Sequence, residues 1–155
     1  MSRAFVKDDD GGAGNENLPG RLISEHPNLV SPEGLALIEA EVARLSRAYA
    51  AAQTAADRVE LQRVSRDLRY WTARLATAEV VEPKAGSNKV QFGSMVAIVR
   101  DDGRRQTYRI AGEDEANPAK GTLSHVSPLA QALMGKTVGD VVQAGAGEAE
   151  ITAVA

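Results

Sequence analysis

The sequence predicts an α+β protein: an N-terminal antiparallel α-helical coiled-coil hairpin, then an antiparallel sheet carrying one short helix. Three observations predict it. Two apolar seams of heptad spacing lie within residues 31–82, yet they do not share a register. Beyond Pro83 the helical period gives way to short β-rich runs punctuated by Asp-Gly and Gly-rich turns. Among those runs sits one two-turn segment, Ser127 to Gly135, with start and stop signals at its ends.

Composition narrows the class. The 155-residue chain is 43% apolar and 25% charged, as globular proteins are, but only 4% aromatic, so its core must be aliphatic. That length suits one full domain, or a small domain with an appendage. A net charge of −3 argues against a whole-protein nucleic-acid binder and leaves room for a local basic stripe. With no cysteine there is no disulfide, thiol nucleophile or zinc ribbon, which suits a reducing compartment. No apolar run approaches the roughly 18 residues of a membrane span, and no secretory apolar region opens the chain. A cytoplasmic location is expected.

Residues 1–30 hold an acid run, a Gly/Asn-rich patch and two prolines with little apolar surface, and read as a flexible arm. His26 lies there with no second ligand near it. At Ser31 the pattern changes: "SPEG" offers an N-cap Ser, a Pro at the first helical position and a Glu in the first turn. The first seam runs Leu35, Ile38, Val42, Leu45, Tyr49, Ala52, Ala56; the second runs Leu61, Val64, Leu68, Trp71, Leu75, Ala78. Continuing the first seam would place Arg63 and Arg66 on it. The second is displaced by two heptad positions, about 200° around a straight helix. Two antiparallel helices turning between Gln53 and Asp57 bury both seams; one long helix cannot. The hairpin therefore spans 31–82.

The third segment, 83–155, opens on the linker "EPKAGSN". "MVAIVR" and "QTYRIA" flank "DDGR", which predicts a β-hairpin over Met95–Ala111. In "SPLAQALMG", Ser127 is the N-cap, Pro128 the first helical residue and Gly135 the residue past the end. "GDVVQAGAGEAEITAV" predicts two closing strands around a Gly-rich turn.

Catalytic constellations are missing from this sequence: no phosphate loop, nucleophile elbow or HExxH. Ser124, His125 and Ser127 cluster, but without an orienting third group, and His125 reads as structural. The run "GEDEA", Gly112 to Ala116, reads as a solvated turn or as a partner-facing patch. Arg58, Arg63, Arg66, Arg69 and Arg74 fall within 17 residues, either as a solvated face whose stems cover the seam edges or as a basic stripe for an acidic wall or phosphates. Asp57 and Glu60 have capping-box spacing, and the helix dipole favours both carboxylates there.

The combination "VQFGSMVAIV", "YRIAGEDEA", "LSHVSPLAQALMGKTVGDVV" and "GEAEITAV", with "RDLRYWTARLATAEVVEP" before it, resembles the bacterial Gre transcription elongation factors, GreA and GreB, and the GreB branch more closely. The resemblance implies a coiled-coil hairpin joined to an FKBP-like domain. It implies RNA polymerase as the partner of a monomer, with nascent RNA or DNA met only through the polymerase complex. By the motif the dock falls on Gly112, Asp114, Glu115, Ser127, Pro128 and Leu129. The hairpin of such a factor enters the polymerase's secondary channel and presents its tip acids, here Asp57 and Glu60 in "DRVE", to a magnesium ion shared with the polymerase. The protein then has no catalytic residue or cofactor of its own.

Two departures accompany that resemblance. The Asn and acid-aromatic pair that follow the tip acids in the family are replaced by "LQRVS". The second helix falls about ten residues short of the usual finger, roughly 15 Å of reach, whereas a ligating carboxylate must come to about 2 Å of the ion. The alternative is therefore a short-fingered, non-cleaving polymerase regulator resembling the regulator of nucleoside diphosphate kinase. An FKBP-like fold also raises prolyl isomerisation, but this domain offers only Phe92 and Tyr108 as pocket aromatics.

Overall fold

A computed structural model of the chain describes residues 19–155. In chain order these form β1 (Leu29–Val30), α1 (Pro32–Thr54), α2 (Arg58–Thr77), β2 (Glu79–Val80), β3 (Met95–Arg100), β4 (Arg105–Ala111), β5 (Thr122–Ser124), α3 (Pro128–Leu133), β6 (Val141–Ala144) and β7 (Gly147–Val154), with a short 3-10 turn at Pro118–Lys120. The chain divides into two compact units.

The helical unit comprises Ile38–Thr77 together with the described residues up to Glu25. Its two helices turn at residues 55–57, as the register shift requires. Burial follows the seams: Ile38, Leu45 and Ala52, seven residues apart, are buried on α1, and Val64 is buried on α2. Val42 and Tyr49 on α1, and Leu61, Leu68, Trp71 and Leu75 on α2, are half-buried. Their spacing gives one apolar stripe per helix. Arg21 lies against α2, its guanidinium 4.0 Å from the centre of the Tyr70 ring and 3.4 Å from Asp67.

The sheet unit comprises His26–Leu37 and Ala78–Ala155. Five strands run in the order β5-β4-β3-β7-β6. The β3–β4 hairpin and the β6–β7 hairpin form where the turn signals predict them, and both are antiparallel. The sheet is nevertheless mixed, because β4 and β5 pair in parallel. β5 is three residues long, too short to show a period of two. A register shift between Ala97 and Ile98 bulges the β3–β7 ladder, a device that bends and twists a sheet. α3 packs against β5 and β6, the two edge strands, so the sheet curls around the helix. Val96, Ile98, Ile110, Leu133, Val142 and Ile151 fill the space between, an almost wholly aliphatic core.

The domain boundaries differ from the expected ones. Residues 1–18 of the expected arm lie outside the described residues. Its far end is not arm at all: Asn28 and Val30 are buried, and β1 pairs in parallel with β2, Leu29 with Glu79 and Val30 with Val80. Two backbone hydrogen bonds close that pair, Glu79 N–H to the Asn28 carbonyl and Val81 N–H to the Val30 carbonyl, each 2.9 Å. The chain entering α1 is thus stitched to the chain leaving α2, and residues 31–37 and 78–82 belong with the sheet unit. Among the described residues no helix is long and apolar enough to cross a membrane.

Candidate functional site

The hairpin tip is built by two overlapping caps. Ala56 N–H donates to the Gln53 carbonyl at 3.1 Å and Asp57 N–H to the Ala52 carbonyl at 3.0 Å, the paired bonds of a Schellman ending. That ending needs a left-handed residue, and Ala56 supplies it at φ 54°, the one non-glycine among the described residues with positive φ. Asp57 then starts α2. Its Oδ1 accepts the Glu60 N–H at 3.1 Å while its carbonyl accepts the Leu61 N–H at 2.9 Å. Asp57 is the N-cap that the spacing predicts.

Only half of the capping box forms. The Asp57 N–H is already committed to α1, so the Glu60 carboxylate turns instead to Arg63, with contacts of 3.1 Å to Nε and 2.5 Å to Nη2. The Glu60 hydrogen bond, and then its charge, raise the Arg63 guanidinium above its ordinary pKa. Both tip acids are therefore present at the turn, Asp57 exposed and Glu60 partly covered. Among the described residues no three His, Cys, Asp or Glu side chains gather closely enough to hold a metal. The tip offers two oxygen donors, a set that suits magnesium only where a partner supplies the remaining ligands.

The arginines of the expected basic stripe differ in their surroundings. Arg63 is engaged by Glu60, and Arg66 Nε donates to the Pro19 carbonyl at 2.7 Å. Arg58 and Arg69 are exposed, whereas Arg74, read from the sequence as one of the same group, is buried. The stem of Arg69 borders a shallow apolar groove along α2 with Leu68, Thr72, Ala73 and Ala76. At 100° per residue the five positions fall within about 160° of the helix, opposite the apolar seam, with Arg74 at one edge next to it.

In the sheet unit, the two segments singled out as a dock come together through the parallel pair. Ala111 at the end of β4 registers with Ser124 at the end of β5, and His125 N–H donates to the Ala111 carbonyl at 2.9 Å. The loop Gly112–Glu115 and the loop leading to Ser127, Pro128 and Leu129 thus leave the sheet at the same end. Ser127 caps α3, its side chain accepting from the Ala130 N–H at 3.3 Å; Pro128 is exposed and Leu129 packs partly on the core. His125 is buried edge-on against Phe92, with ring centres 5.6 Å apart, so both rings serve the core.

Sequence reasoning missed what Glu115 does. Its carboxylate faces inward and accepts three hydrogen bonds: from Gly112 N–H at 3.0 Å, from Ser31 N–H at 3.0 Å and from the Ser31 hydroxyl. Ser31 in turn caps α1, its hydroxyl oxygen accepting the Gly34 N–H at 2.9 Å. Two glycines lie close against this arrangement, and at Gly112 the obstacle to a side chain is backbone. A Cβ on Gly112 would lie 2.5 Å from the Leu29 carbonyl oxygen, and one on Gly34 would collide with the Glu115 carboxylate. Residues 31 and 115 are 84 positions apart, and no local pattern announces such a pair.

These features define a two-unit α+β protein with acids at a helical turn and two loops paired at one end of a curled sheet. A family model described as "Transcription elongation factor, GreA/GreB, C-term" matches residues 84–154. GreA of Ruegeria pomeroyi is 33% identical over 133 residues, covering 74% of this chain and 85% of that protein. GreB of Neisseria meningitidis serogroup B is 40% identical over 84 residues, 53% of this chain and 52% of the relative. The chain spans about half the length of that protein and of other curated relatives it matches. The GreA factor homolog 1 (Gfh1) of Thermus thermophilus aligns in structure at 18% identity and a TM-score of 0.41, over 84% of this chain and 99% of that one. The chain belongs to the GreA/GreB transcription elongation factor family.

Proposed function

We propose that this chain is an RNA polymerase-binding elongation factor of the Gre type, acting through the polymerase's secondary channel on backtracked complexes. The observation that carries the reading is the placement of Asp57 and Glu60 at the turn of a two-helix hairpin in a chain of this family. The FKBP-like sheet unit docks through Gly112, Asp114, Glu115, Ser127, Pro128 and Leu129, and β4–β5 pairing, which sets both loops at one end of the sheet, supports that assignment. The chain works as a monomer in the cytoplasm and meets nucleic acid only within the polymerase complex. It is not itself an enzyme; bond cleavage belongs to the polymerase. There the polymerase's paired magnesium ions would activate the water and stabilise the leaving oxygen, with Asp57 and Glu60 helping to hold one of them. The task of this chain's tip is to place carboxylate oxygens and to hold them in position.

A second reading is a short-fingered regulator that occupies the same dock without cleavage. It is favoured by the tip itself, where Asp57 is used as a helix cap and Glu60 is held by Arg63. Exposed pairs of this kind are weak and screened by solvent, so the pairing alone does not withdraw Glu60 from a stronger partner. Reach decides instead. α2 has 20 residues and extends about 30 Å. Adding the protein to a stalled, backtracked complex should shorten the RNA, and Asp57→Ala/Glu60→Ala should abolish shortening while leaving polymerase binding intact. Binding without shortening by the wild type selects the non-cleaving regulator. Loss of affinity by tenfold or more in Asp114→Arg supports the proposed dock; unchanged affinity removes Asp114 from it.

A further inference from the structure

The geometry points to Glu115 as a positioning residue: it ties the loop after β4 to the first turn of α1, so that polymerase seated on the loop is felt at the start of that helix. The inference rests on the dock proposed above and changes the part Glu115 plays in it. Both oxygens of its carboxylate are already used. Oε2 accepts the Gly112 and Ser31 backbone N–H groups, each at 3.0 Å, and Oε1 accepts the Ser31 hydroxyl. A carboxylate with three donors on it has little acceptor capacity left for a partner.

The same contacts make one continuous connection. The Ser31 hydroxyl donates to Glu115 and accepts from the Gly34 N–H, so the position of the carboxylate fixes the cap of α1. Gly112 begins the loop and is bonded to the carboxylate that ends it, while the Glu115 N–H closes back onto the Gly112 carbonyl at 3.2 Å. The carboxylate packs over Gly34 and Gly112, where a Cβ would otherwise stand. A displacement of the loop must therefore move Ser31 or break its bonds. Charge-assisted hydrogen bonds of this kind are about twice as strong as neutral ones, so moving together is the favoured course.

The test is a double-mutant cycle read in two ways on the full chain with bacterial core RNA polymerase. Ser31→Ala and Glu115→Ala should each weaken polymerase binding by about tenfold, and the double variant by no more than either alone, because both break one connection. Ser31→Thr, which keeps the hydroxyl, should restore wild-type affinity. In the wild type, polymerase should slow amide exchange at Gly34 by threefold or more, and Ser31→Ala should remove that response. Ser31→Ala removes only an oxygen and should retain the fold, checked by circular dichroism, so the cycle is readable even if Glu115→Ala unfolds; Glu115→Gln then takes its place. Multiplying effects of the two substitutions, or a Gly34 amide indifferent to bound polymerase, overturn the inference alone. Failure of the wild type to bind polymerase overturns the functional reading and this coupling together.

Discussion

At the hairpin turn, Ala56 and Asp57 are adjacent residues with opposite local energetics. Ala56 holds a left-handed conformation whose Cβ crowds the following carbonyl, a penalty of about 1–2 kcal/mol that glycine escapes. Glycine gives back part of that through its freer unfolded chain. Ala56→Gly should therefore stabilise the protein by about 0.5–1 kcal/mol, seen as a higher urea midpoint at an unchanged slope. Asp57 works the other way, since its side chain satisfies an N–H that helix geometry leaves without an intrahelical acceptor. Asp57→Ala should cost about 1 kcal/mol. Asp57→Asn keeps the cap and removes the charge, so it separates two roles that coincide in one side chain. Wild-type stability with lost RNA shortening assigns the charge to the polymerase complex; shortening retained in Asp57→Asn makes Asp57 a cap only.

At the scale of elements, the helical unit depends on its seam rather than on surface ion pairs. Leu45 is buried on α1, while Val59, beside the tip, is 77% exposed. Leu45→Ala should destabilise by about 2–3 kcal/mol in urea denaturation, whereas Val59→Ala should change stability by less than about 0.5 kcal/mol. Such contrasts were legible in the sequence, because heptad spacing and a two-position register slip locate both the buried stripe and the turn. The caps of α1, α2 and α3 were legible for the same reason: Ser31, Asp57 and Ser127 act within three or four residues. β1, β2 and β5 were not, since two or three residues carry no period. The parallel β4–β5 pair follows from a crossover rather than from a turn signal. Of the candidate site, the sequence locates Asp57 and Glu60, but not the commitment of Glu60 to Arg63. It suggests an outward role for Glu115, whose acid neighbours look like a surface run. The bond that turns it inward comes from residue 31, beyond the reach of any local rule. The arginines share the helix face opposite the seam, but the contact of Arg66 with Pro19 and the burial of Arg74 come from partners that helix periodicity does not announce.

At the scale of the whole molecule, the acidic helical turn and the paired loops of the sheet unit, the latter as the proposed dock, are the two features to be tested together. The absence of cysteine from the sequence makes a single introduced thiol a unique attachment point. Val59 is the natural place for it: exposed, one residue from Glu60 and two from Asp57, with a side chain outside the hydrogen bonds of either acid. A Val59→Cys chain carrying a short photoreactive group, bound to a backtracked elongation complex and irradiated, tests the central claim most directly. The account predicts crosslinks to polymerase segments lining the secondary channel, suppressed when Asp114→Arg is added. Crosslinks confined to the outer surface of the polymerase, or none from a chain that is fully bound, would contradict it.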